Sequence, residues 1–119
     1  VASFLTDYYA TPDAWSPRTS AQRVIAAINS WMHGQNAALG GMAAGYADSD
    51  RAREAEGLVT TFTALILRDA AAHILHLGDG VAARVNTAGL ERLTEAHRVP
   101  AGGGTHLLAR ALGMGRHVE

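Results

Sequence analysis

The residues best equipped for chemistry form the run His76-Leu77-Gly78-Asp79-Gly80. Glycine on both sides of Asp79 lets the backbone bend tightly and brings one carboxylate to a rim. A carboxylate so placed is a hard oxygen ligand of the kind divalent cations take. It is also a turn aspartate able to bond its own backbone, and spacing alone favours that role. His73 and His76 lie three apart. On a strand, with its period of two, they point to opposite faces, which speaks against a zinc pair. Gly102-Gly103-Gly104 invites phosphate only superficially, because the Lys and the spacing of a P-loop are missing. A flexible connector is the expected reading. Asp48, Asp50, Glu54 and Glu56 crowd together but lack EF-hand spacing, and Arg51 and Arg53 between them repel a cation. That stretch reads as a solvated loop. No Ser sits in a nucleophile-elbow pattern, and Cys is absent, so thiolate metal sites and Cys nucleophiles are excluded.

These residues need elements to hold them. Ala2, Leu5, Tyr8 and Tyr9 share one helical face, and Pro12 breaks that helix by pushing Thr11 out of the helical region. Residues 11–18 read as an ordered loop. Residues 20–39 form the clearest helix, capped by Thr19 or Ser20. Ala21, Val24, Ile25, Ile28, Trp31 and Met32 recur along it at helical spacing, and Gly40-Gly41 is expected to end it. A loop follows over 40–57. From Leu58 to Leu67 the sequence is apolar or β-branched at both parities, which predicts a strand covered on both faces. Ala71–Leu77, Ala82–Asn86 and Leu90–Leu93 read as further strands joined by short turns, giving a β-meander over 58–93. Thr105–Leu112 reads as a short helix. The expected class is α+β, with helices in 1–39, the meander, and a helix at 105–112. One long helix covers at most one face of such a sheet, so the second layer is expected from further sequence or another chain.

The chain has 119 residues, enough for one small domain. Apolar residues make up 48 %, so a core can be buried. All ten basic residues are Arg against eleven acidic ones, and the net charge of −1 excludes a bulk-basic nucleic-acid binder and a polybasic membrane-surface protein. No signal peptide is visible, and no apolar run approaches the roughly 20 residues of a membrane span. A cytoplasmic protein is the expectation. The helical face present from the first residue, and the unfinished pattern at Val118-Glu119, predict a piece of a longer protein.

Four segments then fall into a known order: Val59-Thr60-Thr61-Phe62-Thr63-Ala64-Leu65-Ile66-Leu67, Ala72–Asp79, Leu90–Val99 and Leu108–Gly113. They resemble the bacterial PP2C-type metal-dependent serine/threonine phosphatases, whose patterns run roughly T-x-x-A-L, H-x-G-D-S-R, L-T-x-D-H and L-x-R-A-L-G. Phe4–Tyr9 and Ser20–Leu39 are similar to the same family, in the version joined to a protein kinase domain. The resemblance implies an αββα sandwich of antiparallel sheets flanked by helices, of which 1–119 is the central part. It implies hydrolysis of phosphoserine and phosphothreonine proteins in signalling, by two Mn²⁺ or Mg²⁺ ions. It also implies a kinase domain in the same parent chain as a partner. Asp79 matches the carboxylate associated with a weaker third metal. Gly80-Val81 stand where the family has Ser-Arg, and Ala96 stands where an Asp precedes His97. The patterns R-x-x-N-E-D-A, D-G-x-x-G, the later D-G and the closing D-N, which carry the family's main metal aspartates and hence its catalytic residues, are not in this sequence. The isolated chain is therefore expected to be inactive, to hold no cation tightly, and to self-associate through its uncovered strands. The alternative is a non-catalytic PP2C-like module that binds a phosphoprotein or a kinase domain.

Overall fold

The computed structural model describes residues 1–43 and 58–115. Two helices, α1 (Ala2–Tyr9) and α2 (Pro17–Ala43), precede six strands. The strands are β1 (Phe62–Arg68), β2 (Ala71–Leu77), β3 (Ala83–Asn86), β4 (Gly89–Arg92), β5 (Arg98–Gly102) and β6 (Thr105–Leu108). The class is α+β. The chain forms two compact units, Val1–Val59 with Leu112–Glu119, and Thr60–Ala111. The acidic cluster from Asp48 to Glu56 lies outside the described residues. No helix among the described residues is long and apolar enough to cross a membrane.

In the first unit α2 starts three residues earlier than the apolar spacing predicts. Pro17 takes the first helical position, where its missing N–H is no loss and its fixed φ suits the helix. Ser16, not Thr19 or Ser20, is the cap: its Oγ accepts the Thr19 N–H at 3.2 Å. Ser20 instead is buried, its hydroxyl accepting from Thr11 at 2.8 Å. The helix runs through Gly40 and Gly41 to Ala43, because glycine inside a helix costs only about 1 kcal/mol and does not forbid it. Ala21, Val24, Ile25 and Met32 are buried as predicted. Trp31, at the border of that stripe, is 60 % exposed. The face α1 buries is also not the predicted one. Phe4 is buried and stacks on Tyr8 at 5.8 Å, while Leu5 and Tyr9 are exposed.

Asn29 takes a place in the buried stripe, 1 % exposed. Its Oδ1 accepts the Gly113 N–H at 2.8 Å and its Nδ2 donates to the Gly115 carbonyl at 3.0 Å. Two turns along, Asn36 donates to the carbonyls of Leu58 and Gly113, both at 2.9 Å. A buried polar side chain is tolerated because it is fully bonded, and here two asparagines fasten two stretches of backbone to one helix.

The second unit is three antiparallel hairpins, not one meander: β1 with β2, β3 with β4, and β5 with β6. Residues 78–82, which a meander would turn sharply, run beside 93–97 instead. Leu93 N–H donates to the Ala82 carbonyl at 2.9 Å, and His97 N–H to that of Gly78 at 2.8 Å. The helix expected at 105–112 is replaced by strand β6. Gly102, Gly103 and Gly104 all have positive φ, between 58° and 87°, so they close a hairpin and are neither a connector nor a helix lead-in. The β1 strand is not covered on both faces: Phe62, Ala64 and Ile66 are half-buried, while Leu65 and Leu67 are exposed.

The β1–β2 turn carries Asp69 at φ 51° and Ala70 at φ 59°. These are the left-handed values of a two-residue hairpin turn, and they suit the strand twist. They cost an L-residue roughly 1–2 kcal/mol each. Gly113 has φ 84°, and a Cβ there would strike the Leu58 carbonyl oxygen. Ala70→Gly is therefore expected to stabilise the chain by about 1 kcal/mol. Gly113→Ala is expected to destabilise it by more than about 1 kcal/mol. Urea midpoints of the two variants check the opposite signs.

Candidate functional site

The site predicted around Asp79 is built at the end of β2, where the chain leaves its pairing with β1. The register sets Thr63 opposite His76 and Phe62 opposite Leu77. His73 lies opposite Ile66, on the other parity, so the two histidines of β2 are separated as expected. Leu77 and Gly78 are buried, which leaves Asp79 to emerge half-buried at the rim. Gly78 has φ 117°, and a Cβ on it would overlap the Thr61 side chain. Only glycine fits this bend.

Gly78 is the hub of a hydrogen-bond cluster. Its carbonyl accepts from the His97 backbone N–H at 2.8 Å and from His76 Nε2 at 3.0 Å. Its own N–H donates to His97 Nδ1 at 3.1 Å. A carbonyl only accepts, so His76 carries a proton on Nε2, and its Nδ1 meets the Thr63 hydroxyl at 2.9 Å. His97 Nδ1 must be an acceptor, so its ring is neutral with the proton on Nε2. The two rings lie 5.3 Å apart, tilted by 35°. Burial, and then the positive potentials of His76 and Arg110, hold the His97 pKa below the ordinary 6.5, with Glu95 pulling weakly the other way. One residue further along each segment, Arg98 reaches Asp79. Its Nε and NH2 both donate to Asp79 Oδ2, at 3.2 and 3.0 Å. Thr94, buried, fastens the neighbouring backbone: its hydroxyl accepts the Ala82 N–H at 3.0 Å.

Spacing along the chain locates Asp79 and misses its partner. Arg98, exposed and 19 residues away, carries no motif signal of its own. The one clue is that it follows His97, the last residue of the L-T-x-x-H pattern. Asp79, the candidate third-metal ligand, has the Arg98 guanidinium 3.0 Å from its carboxylate in this geometry. Ala96, half-buried one residue before His97, supplies no second carboxylate. Among the described residues no group of three or more His, Cys, Asp or Glu side chains converges as a cation would require. The described residues do not fit a dinuclear cation centre. What the arrangement does offer is a carboxylate and a guanidinium held together at the rim, over a glycine turn locked from behind by two imidazoles.

Comparison with protein-family models, with curated proteins and with solved structures returned no match.

Both partners of the Asp79–Arg98 pair keep two fifths or more of their side-chain surface in solvent, at 40 % and 48 %. Solvent screening limits such a pair to about 0.2–1 kcal/mol. A double-mutant cycle of Asp79→Asn and Arg98→Gln is expected to give a coupling in that range, shrinking at high salt. Urea unfolding at low and high ionic strength measures it.

Proposed function

We propose that this chain is the central part of a PP2C-type serine/threonine phosphatase domain, and that the whole domain hydrolyses phosphoserine and phosphothreonine in cytoplasmic signalling proteins. The observation that supports this reading is the meeting of two of the resembling segments at one turn. His76-Leu77-Gly78-Asp79 closes β2, and Leu93–Arg98 returns beside it, bonding Gly78 and Asp79 in consecutive contacts. Segments that match the family only as an order along the chain thus build a single cluster. The α+β arrangement is compatible with a partial αββα sandwich.

The Mn²⁺ or Mg²⁺ that such hydrolysis uses would supply a bound hydroxide and neutralise charge on the phosphate. In this reading the carboxylates that hold it belong to other parts of the domain. Asp79 and Arg98 shape the rim beside the reacting phosphate, and the glycine turn fixes how far that rim extends.

A second reading is favoured by one contact. Arg98 pairs with Asp79, the one carboxylate that the resemblance matches, as suits a PP2C-like module that binds a phosphoprotein or a fused kinase domain without hydrolysing it.

The full-length protein carrying this sequence separates the two. Phosphate release from a phosphoserine peptide that depends on Mn²⁺ is expected, with the 119-residue chain alone releasing none. Asp79→Ala in the full-length protein is expected to lower turnover by on the order of tenfold, as loss of a residue supporting a site does. Phosphopeptide binding without release at any Mn²⁺ or Mg²⁺ concentration would establish the non-catalytic module, and neither binding nor release would remove both readings.

A further inference from the structure

We propose that His97 is a proton-operated latch on the Gly78–Gly80 turn: the neutral ring holds the turn closed, and protonation releases it together with the Asp79–Arg98 pair. This inference stands on the hydrogen-bond geometry and is independent of the phosphatase reading.

His97 grips Gly78 at two points. Its backbone N–H donates to the Gly78 carbonyl at 2.8 Å, and its Nδ1 accepts the Gly78 N–H at 3.1 Å. The imidazole takes the place a strand carbonyl would fill. Protonating Nδ1 converts that acceptor into a donor and sets two N–H groups against each other. The Gly78 carbonyl cannot take the new proton, because it already accepts two donors, His97 N–H and His76 Nε2. Gly78 lies against the Thr61 side chain, so close that a Cβ there would overlap it. His76 is built differently. Its Nδ1 faces the Thr63 hydroxyl, a group that donates or accepts by rotating. So one ring of the pair adapts to either protonation state and the other does not.

The groups facing His97 reinforce the neutral form. His76 faces it from β2, Arg110 from the segment after β6, and Glu95 from its own segment, with the Asp79–Arg98 pair one residue beyond the contact. Burial, then His76 and Arg110, oppose the proton, and Glu95 favours it. The folded ring therefore binds a proton less readily than an unfolded one. The latch is closed above the ordinary value of 6.5 and opens as the pH falls through the lower folded value. Because Arg98 and Asp79 directly follow the two latched residues, opening removes the support that keeps their side chains in register.

The test is a proton titration of the whole chain by ¹H–¹⁵N NMR between roughly pH 8 and 5, a window above the ordinary carboxylate range near 4. The Gly78 amide and the Arg98 Nε–H resonances are expected to move along one curve with the His97 ring, with a midpoint below 6.5. The Gly89 amide, in another hairpin, is expected to stay still. His97→Asn keeps an acceptor and cannot titrate, and it is expected to flatten both curves. A His97 ring that titrates while Gly78 remains fixed overturns the proposal, as does a midpoint at or above 6.5, or an unchanged Gly78 curve in His97→Asn. If that variant fails to fold, the wild-type comparison of Gly78 with Gly89 decides alone.

Discussion

A hairpin of two strands leaves half its backbone groups without a ladder partner, and in this chain side chains supply what a wider sheet would. The carbonyl and N–H of Gly78 are served by His76 and His97. The N–H of Ala82 goes to the Thr94 hydroxyl, and that of Gly113 to Asn29. Each is a side chain standing in for a neighbouring strand, and each is only as stable as the geometry of that one residue. This explains why the buried polar residues Asn29 and Thr94 sit where hydrophobic ones would be expected. The bends at Gly78 and Gly113 admit no side chain for a separate reason, their positive φ and the close approach of Thr61 and of the Leu58 carbonyl.

The elements set by local periodicity are legible in the sequence. The strand Ala71–Leu77 and the body of the long helix follow from spacing, as does the opposite orientation of His73 and His76, whereas the strand expected over Leu58–Leu67 begins only at Phe62 and runs on through Arg68. What escapes are features decided by single competing residues. Pro17 moves the helix start ahead of its apolar stripe, and Ser16 displaces the expected caps. Three consecutive glycines turn a helical pattern at 105–112 into a hairpin, since positive φ at each is incompatible with a helix entry. Hydrophobic residues in helical spacing also fit one strand and its continuation, and the turn chemistry arbitrates. Leu65 and Leu67 face solvent, on the side of β1 for which a layer from further sequence or another chain is expected.

Of the candidate site, the sequence marks the carboxylate and the glycine bend but not what they touch. Spacing alone favours a turn role for Asp79, and the resemblance implies a cation-ligand role. Its actual neighbour is a guanidinium brought from 19 residues away by the His97–Gly78 contact. Spacing arguments see residues close along the chain, and this pairing depends on how 78–82 and 93–98 run side by side. The histidines illustrate the same limit: spacing sets His76 against His73, its neighbour in sequence, while its neighbour in space is His97.

The asparagine clamps of the long helix have a consequence for the order in which the chain assembles. The three hairpins close loops of a few residues each, which diffusion completes rapidly. The bonds from Asn29 to Gly113 and Gly115 join residues 84 and 86 positions apart. Closing a loop that long carries a larger entropic cost, and contacts of that span slow folding in proportion to their share. The first unit therefore gains its final segment only after nearly all of these residues have been synthesised, and a ribosome-bound chain lacking Gly113 holds Asn29 and Asn36 without their backbone partners there.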